Sequence, residues 1–149
     1  MKINIIYFTR TNNTLKIAEA ITSVLKLKHE VNLIPVNKAT DKDFIDADMI
    51  GFASGINAFD FEKPIKEFVT KLKSSDKKVF IISTSASGKT SYHSKFKKIL
   101  TNKSFNLVGE FTCKGFTKWG PFKLIGGIAK DRPNEEDFDK AKEFAKSIF

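Results

Sequence analysis

The first 27 residues hold the feature that most limits how this chain can fold. Ile3, Ile5, Ile6, Tyr7 and Phe8 form a short, nearly continuous apolar run. Such a run suits a strand buried on both faces, as in a parallel sheet. It breaks into Thr9-Arg10-Thr11-Asn12-Asn13-Thr14, six polar residues in a row. Ile17, Ala18, Ile21, Val24 and Leu25 then recur at helical spacing. Free backbone N–H groups at a helix N-terminus, flanked by hydroxyls, make a seat for a phosphate dianion. A helix cap needs one or two such residues, not six.

The rest of the chain repeats the alternation. Val31 to Val36 reads as a second strand, Met49 to Ala53 as a third, Val79 to Ser83 as a fourth and Phe105 to Cys113 as a fifth. Phe44 to Ala47 reads as a short helical turn or loop. Pro64 opens a helix with Ile65, Phe68, Val69 and Leu72 on its apolar face. Tyr92 to Leu100 is a further helix, and Asn134 caps a last one whose first turn is acidic. Strands that alternate with helices predict an α/β fold. We expect a three-layer, doubly wound, five-stranded parallel sheet, since parallel neighbours need right-handed crossovers. At 149 residues, one domain spanning 1–149 is expected. Ligands of such sheets bind beyond the carboxyl ends of the strands. Those ends are the loops at 9–14, 54–61 and 83–91 and the stretch after Cys113.

Several chemistries are poorly supported. Gly88-Lys89-Thr90 matches the end of a P-loop, but Ser83 stands where that motif opens with glycine. No G-x-G-x-x-G follows the first strand, so a Rossmann fingerprint is missing. Ser85 and Ser87 lie outside any G-x-S-x-G elbow. One cysteine and two separated histidines make no metal set, and His29 and His93 read as surface or capping residues. Cys113 reads as buried and inert. No apolar run approaches the length of a membrane span. With no disulfide possible and no signal sequence evident, a cytoplasmic setting is expected. The formal charge is +9, from 26 Lys+Arg against 17 Asp+Glu. It reads as a solvated lysine surface, because no nucleic-acid motif accompanies it. Trp119, the single tryptophan, sits in a glycine-rich loop where it could stack on a planar ring or plug the core.

Taken together, the loops resemble those of the flavodoxins, small FMN-binding electron carriers. Thr9-Arg10-Thr11-Asn12-Asn13-Thr14 is similar to the hydroxyl-x-Thr-Gly-Asn-Thr loop of that family. Asn12 replaces the usual glycine, and asparagine also enters left-handed backbone conformations. Ser54-Gly55-Ile56 resembles the second flavin loop and Ser83-Thr84-Ser85 the start of the third. Cys113-Lys114-Gly115-Phe116, Gly120 to Gly127 and Arg132-Pro133-Asn134 resemble the tail of a flavodoxin-like group of anaerobic bacteria. Three departures stand out, one of them a Gly88 loop that looks longer or differently arranged than the family's. The chain is basic where studied flavodoxins are acidic, and Asn57 takes a place often held by an aromatic, which Phe59 or Phe61 could supply.

The resemblance implies strand order 2-1-3-4-5 and non-covalent FMN. Phosphate would sit on Thr9, Arg10, Thr11, Asn12, Asn13 and Thr14. Ser54, Gly55, Ile56, Asn57, Ala58 and Phe59 would line one side of the ring. Thr84, Ser85, Ala86, Ser87 and Gly88 would reach its pyrimidine edge, and Trp119 is the candidate stacking partner. A backbone carbonyl near Gly55 to Asn57 would face flavin N5. No side chain is needed for bond chemistry. The implied activity is electron transfer between cytoplasmic redox proteins by a monomer, with partners that carry acidic docking surfaces and with no nucleic acid or membrane insertion. Alternatives are an FMN-dependent reductase of a small oxidant such as a quinone, and a flavin-free binding module.

Overall fold

The computed structural model describes residues 1–116, 127 and 131–149. Its elements follow the expected alternation: β1 (Lys2–Phe8), α1 (Asn13–Leu25), β2 (Glu30–Pro35), α2 (Asp41–Ile45), β3 (Met49–Asn57), β4 (Asp60–Phe61), α3 (Lys63–Lys71), β5 (Lys78–Ser85), α4 (Ser94–Asn102), β6 (Asn106–Lys114) and α5 (Glu135–Ser147). Parallel strands run in the order β2-β1-β3-β5-β6. Without the two-residue β4, which pairs antiparallel with β3, this is the expected 2-1-3-4-5 order.

The strand residues sort by the period of two. Ile3, Ile5, Phe80 and Ile82 face one core, with Ile17, Ile21, Ala141 and Ala145 from α1 and α5. Ile6, Ile50, Phe52, Val79 and Ile81 face the other, with Ile65, Val69, Phe96 and Leu100 from α3 and α4. Burial of each such side chain contributes about 1.5–3 kcal/mol, and both faces of the central strands gain it. That is why these strands read as apolar runs rather than alternating ones.

The differences from the sequence reading are local. The short helical turn expected at Phe44 starts earlier, as α2 from Asp41, because Thr40 and Asp43 form a capping box in front of it. The expected helix at Tyr92 starts as a 3-10 turn over Thr90–His93, and α4 follows from Ser94. β3 extends four residues past Ala53 and turns into β4, so the stretch expected as a loop is a hairpin.

Candidate cofactor site

The carboxyl ends of β1, β3, β5 and β6 open on one cleft of about 740 Å³. This lies within the range of small-molecule sites. A second hollow of about 620 Å³ lies beside Tyr7, Phe8, Pro35 and Phe68. It takes nothing from β3, β5 or β6, so it cannot gather the strand-end loops.

Thr9, Arg10, Thr11, Asn13 and Thr14 line the cleft from the first loop. Asn12 stands behind them with φ 63°, the left-handed conformation that its side chain tolerates. The turn it makes starts α1 at Asn13, with no acidic residue in the first turn to oppose an anion. Two side chains fasten the loop from below. The Thr14 and Thr84 hydroxyls lie 2.8 Å apart and buried, which joins the first loop to β5. Asn13 Nδ2 donates to the Phe116 carbonyl at 2.8 Å, which joins it to the chain leaving β6. This approach requires glycine at 115, where a Cβ would lie 2.9 Å from Asn13 Nδ2. Thr9 Oγ1 is buried and has no partner among the described residues. A buried hydroxyl is costly to leave unpaired, and an anion in the loop would satisfy it.

Gly55, Ile56, Asn57, Ala58 and Phe59 line the opposite wall. Ser54 does not reach the cleft; its fully buried hydroxyl donates to the Gly55 carbonyl at 2.6 Å and accepts from the Glu62 N–H at 3.0 Å. Gly55 to Asn57 are extended and paired with Thr84, Phe61 and Asp60. The chain therefore turns at Ala58-Phe59, not at the Gly55 to Asn57 segment expected to offer a loop carbonyl. Both turn residues have positive φ, 49° and 66°, as a two-residue hairpin of this hand requires. Asp60 steadies the base of the hairpin by accepting from the Phe61 N–H and from Lys66 Nζ, each at 2.7 Å. Of the two aromatics considered for the Asn57 position, Phe61 is in the core, stacked on Phe96 at 4.3 Å. Phe59 is 67% exposed at the cleft and leans on Tyr92 at 5.8 Å.

Thr84, Ser85, Ala86 and Ser87 complete the third wall. Gly88 stands outside it in a turn with φ 61° and donates to Ser85 Oγ at 2.8 Å. Ser87 and Tyr92 share a hydroxyl contact of 2.8 Å. Trp119 lies outside the described residues. Glu62 and Tyr92, to which the sequence did not point, also line the cleft, together with Lys89 from the loop at 83–91 and Gly115 and Phe116 from the stretch after Cys113. Of these, Glu62 is buried and holds Arg10 Nε at 2.6 Å, so the arginine is drawn to the hairpin side of the cleft mouth.

Of the two places expected for His93, surface or helix cap, it takes the second by position: it is the N-cap residue of α4, without a capping side-chain bond, and is fully buried behind Tyr92. Its Nε2 lies 2.6 Å from Ser83 Oγ and its Nδ1 2.8 Å from Glu110 Oε2. Ser83 Oγ also lies 2.9 Å from Thr112 Oγ1, and Lys97 Nζ donates to Glu110 Oε1 at 2.7 Å. The order Ser-His-Glu is that of a hydrolytic triad. Ser83 is 0% exposed and absent from the cleft wall, so no substrate can reach it. The network instead pins the turn that carries Tyr92 to β5 and β6. Burial lowers the His93 pKa against the opposing pull of Glu110, which leaves the ring neutral at pH 7. Burial alone would raise Glu110, but hydrogen bonds from Lys97 and His93 outweigh it and hold the carboxyl below its usual range. Cys113 is pushed up to about 12 by burial, which fits an inert thiol.

The residues present fit a bound FMN. The first loop offers backbone donors and an unsatisfied hydroxyl for phosphate, and the hairpin and third loop leave room between them for a flat ring. Among the described residues no cluster could hold a metal ion, and no helix is long and apolar enough to cross a membrane.

Comparison with known proteins agrees with this geometry. A family model described as a flavodoxin domain matches residues 4–119. An uncharacterized protein of Methanocaldococcus jannaschii, MJ0298, is 41% identical over 138 residues, covering 91% of this chain and 89% of that protein. A flavodoxin from the domain Archaea superposes with TM-score 0.76 at 15% identity, over 99% of this chain and 96% of its own. Flavodoxin 2 of Bacillus cereus does so with TM-score 0.73 at 20% identity, over 99% and 97%. A flavodoxin of Fusobacterium nucleatum bound to flavin mononucleotide gives TM-score 0.70 at 12% identity, over 99% and 94%. At such identities the structural matches speak for the fold, while the family model speaks for descent. The chain belongs to the flavodoxin family of FMN-binding electron-transfer proteins.

Proposed function

We propose that residues 1–149 form one domain that holds FMN non-covalently in this cleft and carries electrons between cytoplasmic redox proteins. The observation that carries the reading is the convergence of four strand-end segments on one cleft, with the α1 N-terminus and the unpartnered Thr9 hydroxyl at its phosphate end. The FMN-bound flavodoxin of Fusobacterium nucleatum, which shares this fold, supports FMN as the cofactor.

The roles follow from position. Backbone N–H groups of the first loop and of the first turn of α1 hold the phosphate, with the Thr9 and Thr11 hydroxyls beside them. Thr14 keeps the loop in register with β5 through Thr84. Phe59 and Tyr92 supply aromatic surface at the cleft edge, and the hydroxyls of Ser85 and Ser87 stiffen the third loop. Bound FMN supplies the redox chemistry, and the protein excludes water and sets the electrostatic surroundings. Lys89, which has no ion-pair partner among the described residues, places positive charge at the mouth, where redox partners with acidic surfaces would approach.

The visible spectrum of the purified protein tests the reading. Flavin bands should survive desalting, and apoprotein should rebind FMN more tightly than riboflavin. A colourless protein that binds neither would overturn it and leave a flavin-free binding module. Oxidation of NAD(P)H by the loaded protein alone, with a quinone as acceptor, would replace the carrier with a reductase.

A further inference from the structure

The positive charge of this molecule is not spread over its surface. Residues 63–103 carry eleven lysines against Glu67 and Asp76, a net +9 that equals the formal charge of the whole chain. The remainder of the chain is balanced. That segment builds α3, β5, the third loop and α4. Both helices pack on the same face of the sheet, with Ile65, Val69, Phe96 and Leu100 in one core. The loop after α3 is stitched to the end of α4, since Ser75 N–H donates to the Lys103 carbonyl at 3.0 Å and Lys103 Nζ donates to the Leu72 carbonyl at 2.6 Å. The two helices therefore present one continuous surface.

Some of these lysines have partners: Lys66 with Asp60, Lys97 with Glu110, and Lys63 with Glu67. Lys71, Lys73, Lys78, Lys89, Lys95 and Lys98 are exposed and form no ion pair among the described residues. Their elements run from the cleft to the far end of the layer. Lys89 lines the cleft, Lys95 and Lys98 lie on α4, and Lys71, Lys73 and Lys78 lie at the C-terminal end of α3 and the start of β5. The opposite layer, α1 and α5, interleaves both signs: Lys140 pairs with Glu136 and Lys146 with Glu143.

We propose that the α3/α4 layer is the docking face for an acidic electron-transfer protein, with its cleft end beside Phe59 and Tyr92 as the point of closest approach. The proposal rests on the carrier reading above and says where the partner sits. A field of one sign on one layer orients an approaching macro-anion and raises its encounter rate. The exposed Phe59 against Tyr92 gives the contact an apolar centre, and Lys89 gives it a charged rim. An acidic protein is favoured over nucleic acid because the stripe leads into the cofactor cleft.

The test uses a strongly acidic ferredoxin as the probe and basic cytochrome c as the counter-probe. Binding is followed by NMR chemical-shift mapping on apoprotein and on FMN-loaded protein, at low and high ionic strength. Shifts should fall on α4, the third loop and the hairpin, and affinity for ferredoxin should drop at least tenfold with added salt. Lys71→Glu/Lys95→Glu/Lys98→Glu should lose at least tenfold in affinity, with Lys89 left intact because it lines the cleft. Lys26→Glu/Lys140→Glu/Lys146→Glu on the opposite layer should change affinity less than twofold. Circular dichroism confirms that both variants are folded. Equal loss in both variants, stronger binding to cytochrome c, or stronger binding to duplex DNA at matched ionic strength would each overturn the proposal. Loss of FMN binding would remove the carrier reading, yet the apoprotein map would still decide the docking face.

Discussion

The two walls of the cleft are built on opposite terms. The wall at the first loop is fastened by buried polar contacts: Thr14 to Thr84, Asn13 to Phe116, and a glycine at 115 that lets the chains close up. The wall at the hairpin is exposed, and it turns through Ala58 and Phe59 in left-handed conformations that cost non-glycine residues roughly 1–2 kcal/mol each. One wall spends side chains on holding its shape. The other holds an unfavourable backbone because β3 and β4 pair on either side of it. A phosphate needs fixed donors, whereas a rim that meets ring and partner can be shaped by its neighbours. This contrast predicts where substitutions will be felt.

The largest effect should come from removing a hydroxyl that serves the ligand. Thr11→Ala should weaken FMN by about 1.5–3 kcal/mol, the worth of a hydrogen bond to a charged group. Riboflavin titrations should show far less change, since that ligand has no phosphate. Equal losses for both ligands would mean that the fixed wall is not a phosphate seat.

Next comes Thr14→Val, which strips Thr84 of its buried partner. Urea unfolding should show a loss of about 1–3 kcal/mol. The double variant Thr14→Val/Thr84→Val should recover much of it, because neither group is then left unsatisfied. Asn57→Ala on the exposed wall should stay within about 0.5 kcal/mol. If the two sites respond alike, the contrast between the walls fails.

Acid should act behind the third loop through His93. Its pKa is lowered in the folded state by burial, so the unfolded chain binds the proton first as pH falls. Stability is therefore full above about pH 6.5 and declines as pH drops toward the folded value, at up to about 1.4 kcal/mol per pH unit. The groups that face the ring are Glu110 and Ser83, with Lys97 beyond Glu110 and the Phe61 ring edge-on at 5.3 Å. Glu110 and Asp137 are held low and add their own loss only in stronger acid, below about pH 4.5 and 3.8. His93→Gln should flatten the part of the unfolding profile just below about pH 6.5. An unchanged profile would assign that slope elsewhere.

The unequal walls were also unequally legible in the sequence. The sheet could be read because buried parallel strands are plain apolar runs, and Ile5 beside Ile6 serves two cores at once. The turn of the first loop could be read because Asn12 takes the left-handed backbone that its chemistry permits. The hairpin could not be read: Ala58-Phe59 carries none of the Asn-Gly chemistry that announces such a turn. Nor could the network behind Tyr92, since Ser83, His93 and Glu110 come from three elements and meet only once the sheet is assembled. The charged layer was hidden for a related reason. Lysines that look scattered along the chain share one face because α3 and α4 cross over on the same side of the sheet.

The smallest effect tests the strained wall itself. Ala58→Gly removes the Cβ that makes φ 49° unfavourable, and glycine enters this region freely. The relief of roughly 1–2 kcal/mol is partly offset by about 0.5–1 kcal/mol of extra entropy in the unfolded chain. Urea unfolding should therefore show a net gain between about 0 and 1.5 kcal/mol. Ala58 is exposed, so little packing is lost to obscure the result. FMN affinity sharpens the reading. If Ala58 and Phe59 hold the rim in the shape that the ligand needs, a freer turn should bind FMN slightly less well while the protein itself becomes more stable. A loss of stability in Ala58→Gly would show that the turn is not strained, and the two walls would then differ in exposure alone.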